Sequence, residues 1–394
     1  MKTVLLAWEL GGGMGHIVTL WRLAKRLRQR DLRLVAAVKN PDAGRLLCSQ
    51  GIEIVRAPAW PSASMSPAQI ARTSSATMGE VLATAGLADG QGLCRLLSEW
   101  DDLFLRIKPN LVVGHLAPAA SLVARGRVPL MLVGDGYALP PAELKRFPRL
   151  HSMSHPGNEN LTLAVLNTVL QSRRQAQLDY LPQIFSSDAR MVVTFPLLDP
   201  YAAHRVEPLD GPILDYVPVA SDPKARSIFV YLSRGYALHR DIPDSLLAHA
   251  QGLRIHAPAL SAEQARDLTR AGAVVDHDPI APAQALAPAS LVIHLGGSGL
   301  AAEALMAGIP QLVLSMQVEQ WLNGSALQRA GLGRVIRAYD PASTRISHEI
   351  DSLLEDTVIA RKAVDAGRLH RDLSRRADVL AKFEHACRGL LGSD

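Results

Sequence analysis

Two histidines stand where a short apolar run gives way to glycines. His16 follows the apolar residues 4–7 and the turn Gly11-Gly12-Gly13-Met14-Gly15. His294 follows Leu291-Val292-Ile293 and leads into Gly296-Gly297-Ser298-Gly299. A strand that runs through a glycine turn into a helix leaves backbone N–H groups at the helix start. These groups and the positive end of the helix dipole both suit an anion. The stretch 291–323 therefore reads as a seat for a diphosphate. The glycines before His16 do not make a dinucleotide fingerprint. The spacing Gly-x-Gly-x-x-Gly fails because His16 stands where the third glycine belongs. An ordinary imidazole, with a pKa of ~6.5, suits proton abstraction near neutral pH.

The elements that position these residues follow from periodicity. Residues 4–7, 34–38, 52–55, 111–113, 130–133 and 191–194 are short apolar runs of the buried parallel-strand kind. Helical patterns lie between several of them, over 17–30, 93–107 and 161–181. This alternation predicts an α/β protein with a doubly wound parallel sheet. In such sheets ligands meet the loops beyond the carboxyl ends of the strands. That rule selects residues 11–16, Asn40, His115, Asp135 and Phe195. The stretch 206–224 is rich in Pro and Asp and lacks a period, as a linker does. Strands then resume at 227–232, 254–256, 273–275, 291–293, 311–314 and 334–336, with helices over 300–306, 347–354 and 360–391. The expected organisation is two tandem Rossmann-like sheets facing across a cleft. The expected boundaries are 1–212 and 213–375, with residues 376–394 a helix returning to the first domain. Residues 57–78 give no clear pattern.

Composition narrows the function classes. The chain of 394 residues is 48% hydrophobic and 20% charged, enough for sizeable cores and unlike a disordered segment. Its formal charge of +5 is mild for this length, and its basic residues form no run with interleaved aromatics, which argues against nucleic acid. The arginine clusters at 22–33 and 361–376 fit solvated helix faces or a weak attraction to an anionic membrane surface. Cys48, Cys94 and Cys387 match no metal or redox spacing and fit a reducing compartment. The apolar run at the start ends at Trp8-Glu9, too early for a signal peptide, and no stretch has the ~18 apolar residues of a membrane span. A cytoplasmic protein is expected. No Asp-x-Asp arrangement offers to hold a divalent cation, so neither a metal nor another cofactor is expected.

The second half resembles the nucleotide-sugar-binding domain of the family 1 glycosyltransferases, the UDP-glycosyltransferase superfamily with the GT-B fold. The residues that carry the resemblance are His294, Gly296, Gly297, Ser298, Glu303-Ala304-Leu305, Gly308-Ile309-Pro310, Glu319-Gln320 and Asn323, in that order. In the first half Gly13-Met14-Gly15-His16 is similar to the family's entrance motif. Lys108-Pro109-Asn110 and Gly211-Pro212 are similar to its approach to a strand and its interdomain pair. The resemblance implies that His294 and residues 296–299 hold the diphosphate of a nucleotide sugar. It further implies that Glu303 grips the ribose, Glu319 and Gln320 the sugar, and that Ser233 lies near the phosphates. His16 would be the general base toward a small, lipophilic or natural-product-like acceptor, with Gly15, His115 and Tyr137 lining the acceptor side. The family often orients this histidine with an Asp, and here that place holds Gly114-His115; Asp135, Asp101 or Asp102 are alternative partners. The family's base platform is reduced to Ile280-Ala281-Pro282-Ala283, so uridine is favoured over thymidine only as the family's default. Retaining relatives carry a Glu eight residues before the ribose Glu, and here that position is Leu295, which favours inversion.

Bland readings compete with these roles. His294 alone would be a core histidine, and Trp60, Trp100 and Tyr137 are expected to be structural, with stacking on an acceptor the minority reading. Three further functions stay open: transfer to a lipid-linked acceptor, as in the peptidoglycan N-acetylglucosaminyl transferase; a nucleotide-sugar epimerase; and a non-catalytic nucleotide-sugar-binding protein. Oligomeric state is not legible in the sequence.

Overall fold

The computed structural model describes residues 1–28, 31–42, 44–61, 75–151, 157–214, 216–220, 227–232, 241–278, 280–338 and 343–392. The chain forms two compact units. Residues 1–194, 199–213 and 378–394 make the first, and 195–198 with 214–377 the second.

The first unit is built on a six-stranded parallel sheet of β1 (Lys2–Trp8), β2 (Leu32–Val38), β3 (Glu53–Arg56), β4 (Leu111–Gly114), β5 (Leu130–Gly134) and β6 (Ala189–Val192). Its order is β3-β2-β1-β4-β5-β6. Residues 4–7 of β1 are wholly buried, as a central strand covered on both faces must be. Helix α1 (Met14–Leu27) follows the glycine turn and buries Ile17, Leu20, Leu23, Ala24 and Leu27. These fall on one face at helical spacing, with Lys25 and Arg26 in the last turn, where cations suit the dipole. Helix α2 (Pro118–Ala124) starts with Pro at its first position. Trp60 and Trp100 are 4% and 0% exposed in the core, in keeping with a structural role.

The second unit repeats the plan. Its strands are β7 (Ser227–Tyr231), β8 (Leu253–His256), β9 (Val274–Val275), β10 (Ala289–His294), β11 (Gln311–Ser315) and β12 (Gly333–Arg337). The order β12-β11-β10-β7-β8-β9 is, read from the other edge, the order of the first sheet. Each sheet therefore reverses direction beside its own first strand, between β1 and β4 and between β7 and β10. Helix α3 (Ser298–Ala307) follows β10, and Gly308 in the left-handed region (φ 77°) stops it. Helix α4 (Val318–Arg329) follows β11.

Two expected helices end differently. The one expected over 161–181 runs over Glu159–Ser172; Arg174 adopts φ 58°, which ends it, and a 3-10 turn covers Leu181–Phe185. The one expected over 360–391 is two helices, α5 (Thr357–Arg376) and α6 (Val379–Leu391). Ala377 is extended and the Asp378 side chain accepts from Ala381 N, capping a new start. No helix among the described residues is long and apolar enough to cross a membrane.

Candidate active site

The pairing of β1 with β4 sets the candidate site of the first unit. Ala7 is in register with Gly114, and His115 N donates to Ala7 O at 2.9 Å, so the ends of both strands lie side by side. His16, in the first turn of α1, points its Nδ1 at His115 Nε2, 2.9 Å away. His115 is buried, and its Nδ1 lies 2.9 Å from the carbonyl oxygen of Val133 at the end of β5. A carbonyl only accepts, so His115 Nδ1 carries the proton and its Nε2 is an acceptor. His16 Nδ1 must then donate, which leaves the lone pair of a neutral His16 on Nε2. The Trp8 indole stacks on the His16 ring at 5.1 Å between centroids.

Close packing completes this corner. A Cβ on Gly11 would stand 2.4 Å from His16 Nε2, and Gly11 has φ +82°. Only glycine fits there. Lys39, at the exit of β2, donates to Gly11 O at 3.2 Å. Burial, then the neighbouring His115 and Lys39, hold the His16 imidazole well below its usual pKa. Burial also lowers His115, against the hydrogen bond to Val133 and the field of Asp135, which raise it.

Asp135 does not partner His16. Its Oδ1 accepts from Ala138 N at 2.8 Å, capping the turn after β5, and its charge acts on His115. The buried pair Arg205–Asp199, 2.7 Å apart, braces that turn: Arg205 also donates to Gly136 O and Leu139 O. Tyr137 is half-buried against the core, and Gly15 is exposed on α1, where a Cβ would meet nothing within 4 Å. Glu9, buried just past β1, was not anticipated from the sequence. It accepts from Trp60 Nε1 (2.8 Å) and from the amides of Ala119 and Ala120 (2.9 and 2.6 Å) at the start of α2. Burial raises its pKa to about 7, against the pull of these hydrogen bonds.

In the second unit a continuous polar chain surrounds the start of α3. His294 Nε2 bonds Gln311 Oε1 at 2.9 Å, and Gly296 N donates to His294 Nδ1 at 3.2 Å. Asn323 Nδ2 donates to Gly296 O at 2.9 Å and to Ser298 Oγ at 3.3 Å. Ser298 Oγ in turn donates to Glu319 Oε1 at 2.9 Å. His294 is 1% exposed and burial pushes its pKa down to about 4, so it is neutral and both ring nitrogens serve the turn. Gly296 has φ +94°, and a Cβ there would lie 2.7 Å from Val313 Cγ1 and 2.8 Å from Gln320 O. Gly297 caps α3 without a side chain, and a Cβ on Gly297 or Gly299 would meet nothing within 4 Å. The helix start is thus open at Gly297 and Gly299 and closed at Gly296.

Gln320 Oε1 accepts from the amides of Met316 (2.8 Å) and Gln317 (3.2 Å), one half of a capping box on α4. Buried Glu303 accepts from the Tyr216 hydroxyl. Ser233 lies outside the described residues. Among the described residues no group of three His, Cys, Asp or Glu is placed to hold a metal. Gln311 and Tyr216 carried no signal in the sequence, because each is defined only by a partner distant along the chain.

Residues 244–372 match the family described as "Erythromycin biosynthesis protein CIII-like, C-terminal domain". The elloramycin glycosyltransferase of Streptomyces olivaceus is 33% identical over 113 residues, which are 29% of this chain and 28% of that protein. The match therefore spans less than a third of that relative's length. Solved structures align along nearly the whole chain. The calicheamicin glycosyltransferase CalG4 superposes with a TM-score of 0.69 at 18% identity, covering 99% of this chain and 98% of its own. The chain has the GT-B glycosyltransferase fold. The spinosyn rhamnosyltransferase SpnG shares this fold at a TM-score of 0.65 and 19% identity, over 96% of this chain and 100% of its own. SpnG has been solved with thymidine diphosphate and with the spinosyn aglycone.

Proposed function

We propose that this GT-B protein is an inverting, metal-independent glycosyltransferase that moves a sugar from a nucleoside diphosphate sugar to a hydroxyl of a natural-product aglycone. The observation that carries the reading is the hydrogen-bond chain from Val133 O through His115 to His16, which leaves a base lone pair on His16 Nε2. The acceptor proton passes to Nε2 as the oxygen bonds the anomeric carbon. The C–O bond to the diphosphate breaks, and its electron pair leaves with the diphosphate. The leaving group is met by the open helix start at 297–299, whose amides and dipole need no reorganisation. His294 supports this site through the turn: it fixes Gly296, and Asn323 and Ser298 continue the brace. Glu319 orients Ser298, and Glu303 is the ribose-side carboxylate.

The complex of SpnG with thymidine diphosphate makes a thymidine diphosphate sugar the first donor to try, ahead of the uridine default. The test is a panel of nucleotides and nucleotide sugars read by thermal shift, followed by aglycones with the donors that bind. His16→Ala should abolish turnover and keep the nucleotide shift. A donor that is bound but never consumed, with any acceptor or with water, refutes the transferase reading in favour of a binding protein.

A further inference from the structure

We infer that His115 is the positioning residue of the base, a neutral imidazole that fixes the His16 tautomer, and that this base is matched to an acidic acceptor hydroxyl such as a phenol or an enol. The inference rests on the reading of His16 as the base. A partner for a general base has two tasks: to orient the ring, and to stabilise the cation that forms when the base takes its proton. His115 performs the first completely. Its own proton is committed to Val133 O at 2.9 Å, so its Nε2 can only accept, and His16 Nδ1 at 2.9 Å can only donate. The tautomer of His16 is thereby decided by a backbone carbonyl two residues before Asp135.

The second task His115 performs weakly, because it carries no negative charge. The groups around the base point the same way. Trp8 covers one face of the His16 ring, Lys39 at the exit of β2 brings a cation to the Gly11 carbonyl beside it, and Gly11 closes on Nε2. Among the described residues the carboxylate that acts on the pair is Asp135, just past the end of β5; it bonds Ala138 N and acts on His115, one ring away. Glu9, from the end of β1, is committed to Trp60 and the start of α2. A positive charge on His16 is therefore poorly accommodated, and burial keeps the ring neutral below the usual histidine range. Proton transfer is efficient when donor and base are close in strength. A weakened base pairs with an acidic hydroxyl, and the Lys39 ammonium beside it favours the oxyanion that such a hydroxyl becomes.

Two measurements test this, one of them without any substrate. In protein labelled with ¹⁵N at histidine, His16 should show a protonated Nδ1 and a bare Nε2 at neutral pH, and His115→Ala should release it to a mixture of tautomers. A wild-type His16 protonated at Nε2 overturns the inference. With donor and acceptors in hand, His115→Ala should lower kcat at least tenfold with the donor KM unchanged. His115→Asp restores an orienting acceptor and adds the missing charge. It should recover kcat, raise the acid limb of the pH–rate profile toward ordinary histidine values, and shift preference from phenols toward aliphatic alcohols by about tenfold. An acid limb and a phenol-to-alcohol ratio unmoved by His115→Asp would overturn the matching of base to acceptor. Turnover that survives His16→Ala would instead overturn the proposed function.

Discussion

At the scale of single residues, the proposed base depends on a neighbour that contributes no chemistry. Gly11 closes on His16 Nε2, the atom that would receive the proton in the proposed reaction, and its φ of +82° already disfavours any side chain. Gly11→Ala places a methyl group 2.4 Å from that nitrogen, so the ring must turn away from His115. A displacement of about 1 Å at a reacting group costs on the order of a hundredfold in rate. We expect Gly11→Ala to lower kcat by about that factor while leaving the thermal shift with nucleotide intact. An unchanged kcat would mean that the ring has room the structure denies it. His16 stood out in the sequence as a candidate because its glycine turn comes together with the motif at 294–323; alone it could equally be a helix-capping or satisfied buried histidine. His115 was legible as a pocket residue but not as the partner, because nothing local shows that its Nδ1 meets Val133 O. That contact depends on β4 and β5 lying side by side.

At the scale of elements, every strand expected from apolar runs is present, and both sheets are parallel as expected. Buried parallel strands announce themselves because both faces need apolar residues. Helix ends were read less well, since Arg174 and Ala377 end helices by backbone geometry with no glycine or proline to mark them. The site at the start of α3 was legible as a motif, yet several of its polar residues bond one another. Gly296→Ala, with φ +94° and a backbone carbonyl 2.8 Å from the new Cβ, should strain the turn by roughly 1–3 kcal/mol and abolish the nucleotide thermal shift. Gln320→Ala should cost about 1 kcal/mol through the lost cap, measured by denaturant unfolding, before any effect on sugar choice.

Glu9, which joins β1 to the start of α2, adds a pH dependence of its own. Its folded pKa of about 7 lies above the unfolded value of 4.5, so the folded first unit binds the extra proton between these pH values. The stabilisation is complete below pH 4.5 and is lost as pH rises toward 7. The loss is on the order of 3 kcal/mol at most. Glu9→Gln should flatten this slope, followed by the fluorescence of Trp60, whose indole bonds the carboxyl group. Equal slopes in the two proteins would show that Glu9 stays ionised throughout.

At the scale of the whole molecule, the chain gives its last helix to its first unit. Phe383 and Cys387 of α6 are 0% exposed, and Cys387 Sγ lies 3.8 Å from Met131 Sδ on β5. Glu384, its side chain 5% exposed, pairs with Arg26 of α1 at 2.6 Å and more loosely with Arg388 at 3.8 Å. Removing Arg26 takes its close partner from this buried carboxylate, at a cost on the order of 2 kcal/mol once the exposure of Arg26 is allowed for. Cys387 reports the consequence. Burial holds its thiol up at about 12, so it is inert while α6 is docked, whereas Cys48 is exposed. Arg26→Ala should speed labelling of Cys387 by at least tenfold through local opening of α6, with Cys48 labelling unchanged as the internal control. On the proposed reading nucleotide binding uses the other unit and should be unaffected. Equal Cys387 labelling in the two proteins would mean that apolar packing around Phe383, not the ion pair, holds the helix in place.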